Sequence, residues 1–168
     1  MKKILVPIDY SASADNAVCY AIHIANTIKA SIHLVHGIIV PELSPMAGLV
    51  VWPLEDYATI KTEADEKLAN YVTALKKNID LDFSFLPEIT FSTEIGNVNQ
   101  VVNQKVSENK IDLIVMGMSG ASDLKKIIFG SNSLALINTT KTPLLLIPKN
   151  AKFNFIKKIA FGTDLHEN

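Results

Sequence analysis

Three short apolar runs without a polar face constrain this chain most. Lys3 to Ile8, Asp112 to Met116 and Pro143 to Ile147 are almost continuously aliphatic. Strands of that kind bury both faces, as in a parallel sheet with helices on either side; a sheet with one wet face alternates instead. Between the runs stand stretches with apolar residues at helical spacing. Ser11 or Ser13 can cap a helix to about Lys29, built on Ala17, Tyr20, Ala21, Ile24 and Ile28. Leu54 to Lys77 carries the stripe Tyr57, Ile60, Ala64, Leu68, Tyr71 and Leu75. Ser31 to Ile39 and Glu88 to Glu94, ended by Gly96, add two strands. Val98 to Asn109, on Val101, Val102 and Val106, and Ser131 to Thr140, with Leu134, Ile137 and their neighbours facing inward, add two helices. The expected fold is α/β: an open, doubly wound, five-stranded parallel sheet with four helices and right-handed crossovers. Pro41 to Pro53 reads as a loop with its own packing role.

Composition narrows the function classes. A length of 168 residues suits one domain and a short remainder, and 48% hydrophobic residues argue against global disorder. Ile111 to Met118, interrupted by Asp112, is too short to cross a bilayer. The apolar start is broken by Pro7 and Asp9 before it reaches signal-peptide length. A lone cysteine, Cys19, permits no intrachain disulfide and fits a reducing compartment, so a cytoplasmic location is expected. Its place in the first helix reads as a small core residue. The formal charge of −1 provides no field for nucleic acid.

All 16 basic residues are lysine. Without arginine the chain lacks bidentate phosphate forks and arginine fingers, so any phosphate must be held by backbone N–H groups, hydroxyls and lysine charges. His23, His33 and His36 lack metal-ligand spacing; His36 reads as a satisfied structural histidine at a strand end that could border a pocket. No nucleophile–base pair is marked by a known motif, and the chain is not expected to be an enzyme.

The informative segment is Gly117-Met118-Ser119-Gly120, nine residues, then Gly130-Ser131-Asn132-Ser133. Gly117 ends a strand, where open α/β sheets bind ligands, and Ser131 opens a helix whose first N–H groups are free for an anion. Ser131 and Ser133 can add hydroxyls, Lys125 and Lys126 charge. Spacing alone leaves two readings open, a phosphate cradle and plain turn chemistry. The segment is neither a Walker loop nor the dinucleotide fingerprint.

Here the chain resembles the universal stress proteins, in an adenine nucleotide α-hydrolase-like, Rossmann-like fold. The resemblance rests on the opening Lys3-Ile4-Leu5-Val6-Pro7-Ile8-Asp9-Tyr10-Ser11, on Leu34-Val35-His36-Gly37, on Asp112-Leu113-Ile114-Val115-Met116-Gly117 and on Pro143 to Pro148. The glycine segment matches the pattern of the family's nucleotide-binding members position for position. The resemblance implies ATP or another adenine nucleotide, with any Mg²⁺ held by the phosphates. It implies Pro7 and Ile8 at the base pocket, Asp9 near the adenosine, Gly37 and Ile38 on adenine, and Met116, Gly117, Gly120, Gly130, Ser131, Asn132 and Ser133 around the rest of the nucleotide. It departs at Ala121, where members often carry a basic residue, and at Gly37, usually a β-branched aliphatic, so that a thinner adenine wall is expected. A nucleotide-binding stress-response or signalling module is the leading reading, at most a slow ATPase. The alternative is a nucleotide-free module acting through protein contacts.

Ile156-Lys157-Lys158-Ile159-Ala160-Phe161-Gly162-Thr163-Asp164 repeats the layout of residues 1–9 at an offset of 155 residues. The expected organisation is a first repeat over residues 1–149, then a linker and the first strand of a second repeat over 150–168. A homodimer, or a pseudo-dimer in a longer chain, is expected through the edge at Thr142 to Pro148. The apolar segment from Phe153 to Phe161 is expected to join that assembly or to be disordered.

Overall fold

The computed structural model describes residues 1–39, 57–79, 83–118, 131–154 and 157–160. Strands β1 (Lys2–Pro7), β2 (Ala30–Ile38), β3 (Ile89–Ile95), β4 (Leu113–Met118) and β5 (Leu144–Pro148) alternate with helices α1 (Ala12–Ile28), α2 (Tyr57–Lys77), α3 (Val98–Glu108) and α4 (Ser131–Thr139). All pairings are parallel, in the order β3-β2-β1-β4-β5. The fold is the open five-stranded parallel α/β sheet expected of the sequence. The chain winds outward from β1 to β3, then restarts at β4 on the other side of β1. That reversal opens a crevice above the carboxyl ends of β1 and β4.

Period-two alternation divides the central strands between two cores. Ile4, Val6, Ile32, Leu34 and Val115 pack with α1 and α2 residues such as Val18, Ala21 and Leu68. Leu5, Val35 and Ile114 pack with Val101 and Val102 of α3 and Leu136 of α4. Each of these side chains is at most 1% exposed, which explains why their strands show no polar face.

Ser11 caps α1. Its backbone is extended and its Oγ accepts the Ala14 N–H at 3.2 Å. The helix ends at Lys29, in the left-handed region at φ 53°, whose N–H returns to Ala25 O. Two inward faces differ from expectation. On α1 the buried stripe is Ala14, Ala17, Val18, Ala21, Ile22 and Ala25, so Cys19 lies on the outer face and is exposed, not a core residue. On α4 the inward residues are Ser133 and Leu136, whereas Leu134 and Ile137 are each 45% exposed. Nine residues present only about two turns to the sheet, and the small Ser133 takes the place that hydrophobicity alone assigns to its neighbours. In α2, Leu68 and Val72 are buried while Tyr57 is exposed. The segment read as the Pro41 to Pro53 loop lies outside the described residues.

Beyond β5 the chain turns back over α1. Asn16 Nδ2 donates to Ala151 O at 2.9 Å and Pro148 O at 3.0 Å, and Tyr20 donates its hydroxyl to Lys152 O at 2.7 Å. Phe153 stacks on His23 with centroids 4.3 Å apart. Asn16, Tyr20 and His23 follow one another at helical spacing on the outer side of α1. Residues 157–160 belong to no helix or strand, and Ile159 is 89% exposed. No helix among the described residues is long and apolar enough to cross a membrane.

Candidate functional site

A cleft of about 320 Å³ opens over the carboxyl ends of β1, β2 and β4, a volume at the lower end of the range for small-ligand sites. Nine residues singled out in the sequence line it. Pro7, Ile8 and Asp9 come from β1 and its exit, Gly37 from β2, Met116 and Gly117 from β4, and Ser131, Asn132 and Ser133 from the start of α4. Ile38 does not: it is 7% exposed and packs in the core, and Ile39 reaches the cleft in its place. The period-two pleat accounts for the exchange. Gly120 and Gly130 fall outside the described residues, as do Ser119, Ala121, Lys125 and Lys126.

The β1 exit is tightly braced. Ile8 N–H donates to Val35 O at 2.9 Å, and Asp9 Oδ1 accepts the Ser11 N–H at 3.0 Å. Asp9 thus steadies the turn without being the helix cap, and its second carboxylate oxygen has no partner among the described residues. Tyr10 follows in the left-handed region at φ 62°, a conformation that costs a bulky residue energy and needs support from its surroundings. The support is visible: the His36 ring lies 4.9 Å away, the Tyr71 ring 5.8 Å, and Lys67 Nζ sits 4.1 Å over the tyrosine face. Burial raises the pKa of the Tyr10 phenol. Burial first, then the hydrogen bond to Asp15, pushes Tyr71 well above the usual tyrosine range. His36 donates Nδ1–H to Ile8 O at 2.7 Å and also lines the cleft, so it is both a satisfied structural histidine and a wall of the site.

Three helix N-termini converge on this opening: Ser11, Ser13 and Ala14 of α1, Asn97 and Val98 of α3, and Ser131 to Ser133 of α4. Ser11 caps the first. Asn97 and Gln100 cap the second reciprocally. At α4 the first N–H groups have no partner within their own helix and carry the positive end of its dipole. Among the described residues lining the cleft, Asp9 is the only carboxylate. From the described residues an anion there would meet oriented N–H groups and hydroxyls. The described residues contain no cluster of three His, Cys, Asp or Glu that could hold a metal. One carboxylate and several hydroxyls suit a magnesium ion that takes most of its ligands from phosphate oxygens and water.

Two glycines have packing reasons for being glycine. A Cβ on Gly117 would lie 2.3 Å from Ser13 O and 2.9 Å from Ala14 N, so its bareness admits the first turn of α1. A Cβ on Gly37 would lie 2.7 Å from Gly96 O and 3.6 Å from Val101 Cγ2. The wall at Gly37 is therefore not thin, since the β3–α3 turn fills the space a branched side chain would take. Asn97 and Val98 were not foreseen as site residues, nor were Ser13, Ala14 and Ile39. For Asn97 a signal existed: Asn97 and Gln100 stand at capping-box spacing directly after a strand.

The family model of the universal stress protein family matches residues 1–148. Universal stress protein MJ0531 of Methanocaldococcus jannaschii is 31% identical over 155 residues, covering 90% of this chain and 84% of the relative. Among solved structures, the universal stress protein UspA from Lactobacillus plantarum superposes with a TM-score of 0.60 at 20% identity, over 87% of this chain and 97% of the other. A universal stress protein family protein from Arabidopsis thaliana, solved with AMP bound, gives 0.54 at 18% identity, over 90% and 94%.

Proposed function

The chain belongs to the universal stress protein family, and from that premise we propose that it is a stress-response module whose cleft holds an adenine nucleotide, ATP foremost. The observation that carries this reading is the meeting of Asp9, Gly37, Gly117 and Ser131 to Ser133 around one cleft at the topological switch point. Phosphates belong at the α4 end, on the first-turn N–H groups and serine hydroxyls. Asp9 suits the ribose hydroxyls, which donate to a carboxylate. Magnesium, if bound, would take most of its ligands from the phosphates and water.

The module holds nucleotide, with at most slow hydrolysis of ATP. The chain has no arginine to meet the developing charge, and no histidine stands beside a cleft hydroxyl among the described hydrogen bonds, so any hydrolysis of ATP should be slow. β5, last in the strand order among the described residues, supports pairing with a second copy, which sedimentation reads directly. A single, exposed cysteine fits the reducing cytoplasm. The test is chemical: denature freshly purified protein and identify the nucleotides released. Adenine nucleotide in proportion to protein supports the reading. Another class of ligand in its place refutes it.

A further inference from the structure

If phosphates occupy the α4 end of the cleft, the other end falls to the start of α3, beyond β2 in the strand order. Asn97 stands there. Its backbone N–H donates to Gln100 Oε1 at 3.0 Å, while its Oδ1 accepts the N–H groups of Asn99 and Gln100, each at 3.1 Å. Those two donors fix the orientation of the amide, because only the oxygen can accept them. Nδ2, with two N–H donors, is left over and makes no hydrogen bond among the described residues. Asn97 lines the cleft, and its carbonyl carbon lies 3.5 Å from where a Gly37 Cβ would be. The missing side chain at Gly37 and the backbone of Asn97 thus meet at the same wall.

We propose that Asn97 is a specificity-determining residue, whose Nδ2 donates to the unprotonated ring nitrogen N1 of the bound adenine. This rests on the nucleotide reading above and deepens it. Adenine presents ring nitrogens as acceptors beside an amino donor, so an amide donor suits it. At the same position guanine carries a proton on N1, beside the donor at N2 and the acceptor O6, and that proton wants an acceptor instead. The capping role leaves Oδ1 unavailable for that task, so the wild-type wall favours adenine.

The test separates cap from base reader. Asn97→Asp keeps an equally good cap and adds a negative charge that the α3 dipole favours, but removes both amide donors. The full chain and this variant are titrated with ATP, GTP and inorganic tripolyphosphate, and their melting curves compared. The expected result is an unchanged or raised melting temperature, about tenfold weaker ATP binding and a smaller loss or a gain for GTP, with tripolyphosphate unaffected. Equal losses for ATP, GTP and tripolyphosphate would place Asn97 on the phosphates and overturn the proposal. So would unchanged ATP affinity, which leaves Asn97 as a cap alone. A wild-type chain that binds neither nucleotide overturns the nucleotide reading itself, and this proposal with it. Should Asn97→Asp lower the melting temperature, Asn97→Ser provides a second capped variant without an amide, with the same ATP loss expected.

Discussion

A Cβ on Gly117 would lie 2.3 Å from the carbonyl oxygen of Ser13, which makes this glycine the seat on which the first turn of α1 rests. Backbone cannot swing aside as a side chain can. Gly117→Ala should therefore shift α1 against β4 and cost about 1–3 kcal/mol of stability. Because Ser13 and Ala14 line the cleft, nucleotide affinity should fall with it. Urea denaturation of the variant measures the first effect; a stability equal to wild type would mean the approach is looser than described.

Gly37 makes the matching argument on the other side of β1. Its Cβ would meet Gly96 O at 2.7 Å, and Gly96 itself is at φ 137°, where only glycine is comfortable. Gly37→Ala should displace the β3–α3 turn, costing about 1–3 kcal/mol. Gly37→Val, the bulkier change, should cost more. Thermal unfolding of both variants ranks them; a stabilising valine would show that the turn yields freely.

The segment after β5 should be releasable without unfolding the domain. Asn16 Nδ2 serves Pro148 O and Ala151 O, so Asn16→Ala should free residues 149–153 at a cost of about 1–2 kcal/mol. Limited proteolysis should then cut within that segment several times faster, while the sheet amides keep their exchange protection. Unchanged cleavage would show that Tyr20 and the Phe153–His23 stack suffice.

Acid should loosen the β2–β3 edge through His33. Its ring nitrogens meet Thr90 Oγ1 at 2.9 Å and Ser92 Oγ at 3.1 Å. Burial first, then the charges of Lys105 and Lys3, holds its pKa below the usual 6.5, with Glu94 pulling the other way. The folded state thus favours the neutral ring more than the unfolded chain does. Its contribution is complete above pH 6.5 and is lost as pH falls through the lower folded value. Unfolding free energy measured from about pH 7.5 to about pH 5 should decline, and His33→Gln should flatten that decline.

The fold was legible because its strands are buried on both faces: Ile4, Leu5, Val6, Ile114 and Val115 cannot be mistaken for a wet sheet. Helix phase was less so. The pairs 134/137 and 133/136 have the same helical spacing, so the sequence does not choose between the two phases; Ser133 and Leu136 hold the inner face of α4, and Leu134 and Ile137 are each 45% exposed. Cys19 went the same way, since several small residues on α1 could equally face inward. In the site, residues adjoining the glycine motif and β1 could be read directly, whereas Asn97 and Val98 join it only through the strand order that brings α3 to the cleft. Gly37 and Gly117 were legible as glycines but not as contacts, for their partners Gly96 and Ser13 lie far away in sequence.

The central claim, a nucleotide cleft above β1 and β4, is tested most directly by titrating the full chain with ATP in a calorimeter while following its melting temperature. Saturable heat with one nucleotide per chain is predicted, together with a melting temperature that climbs as ATP rises past its dissociation constant. Neither heat nor a shift at about millimolar ATP, a level at which even an affinity near −4.1 kcal/mol registers, would contradict it.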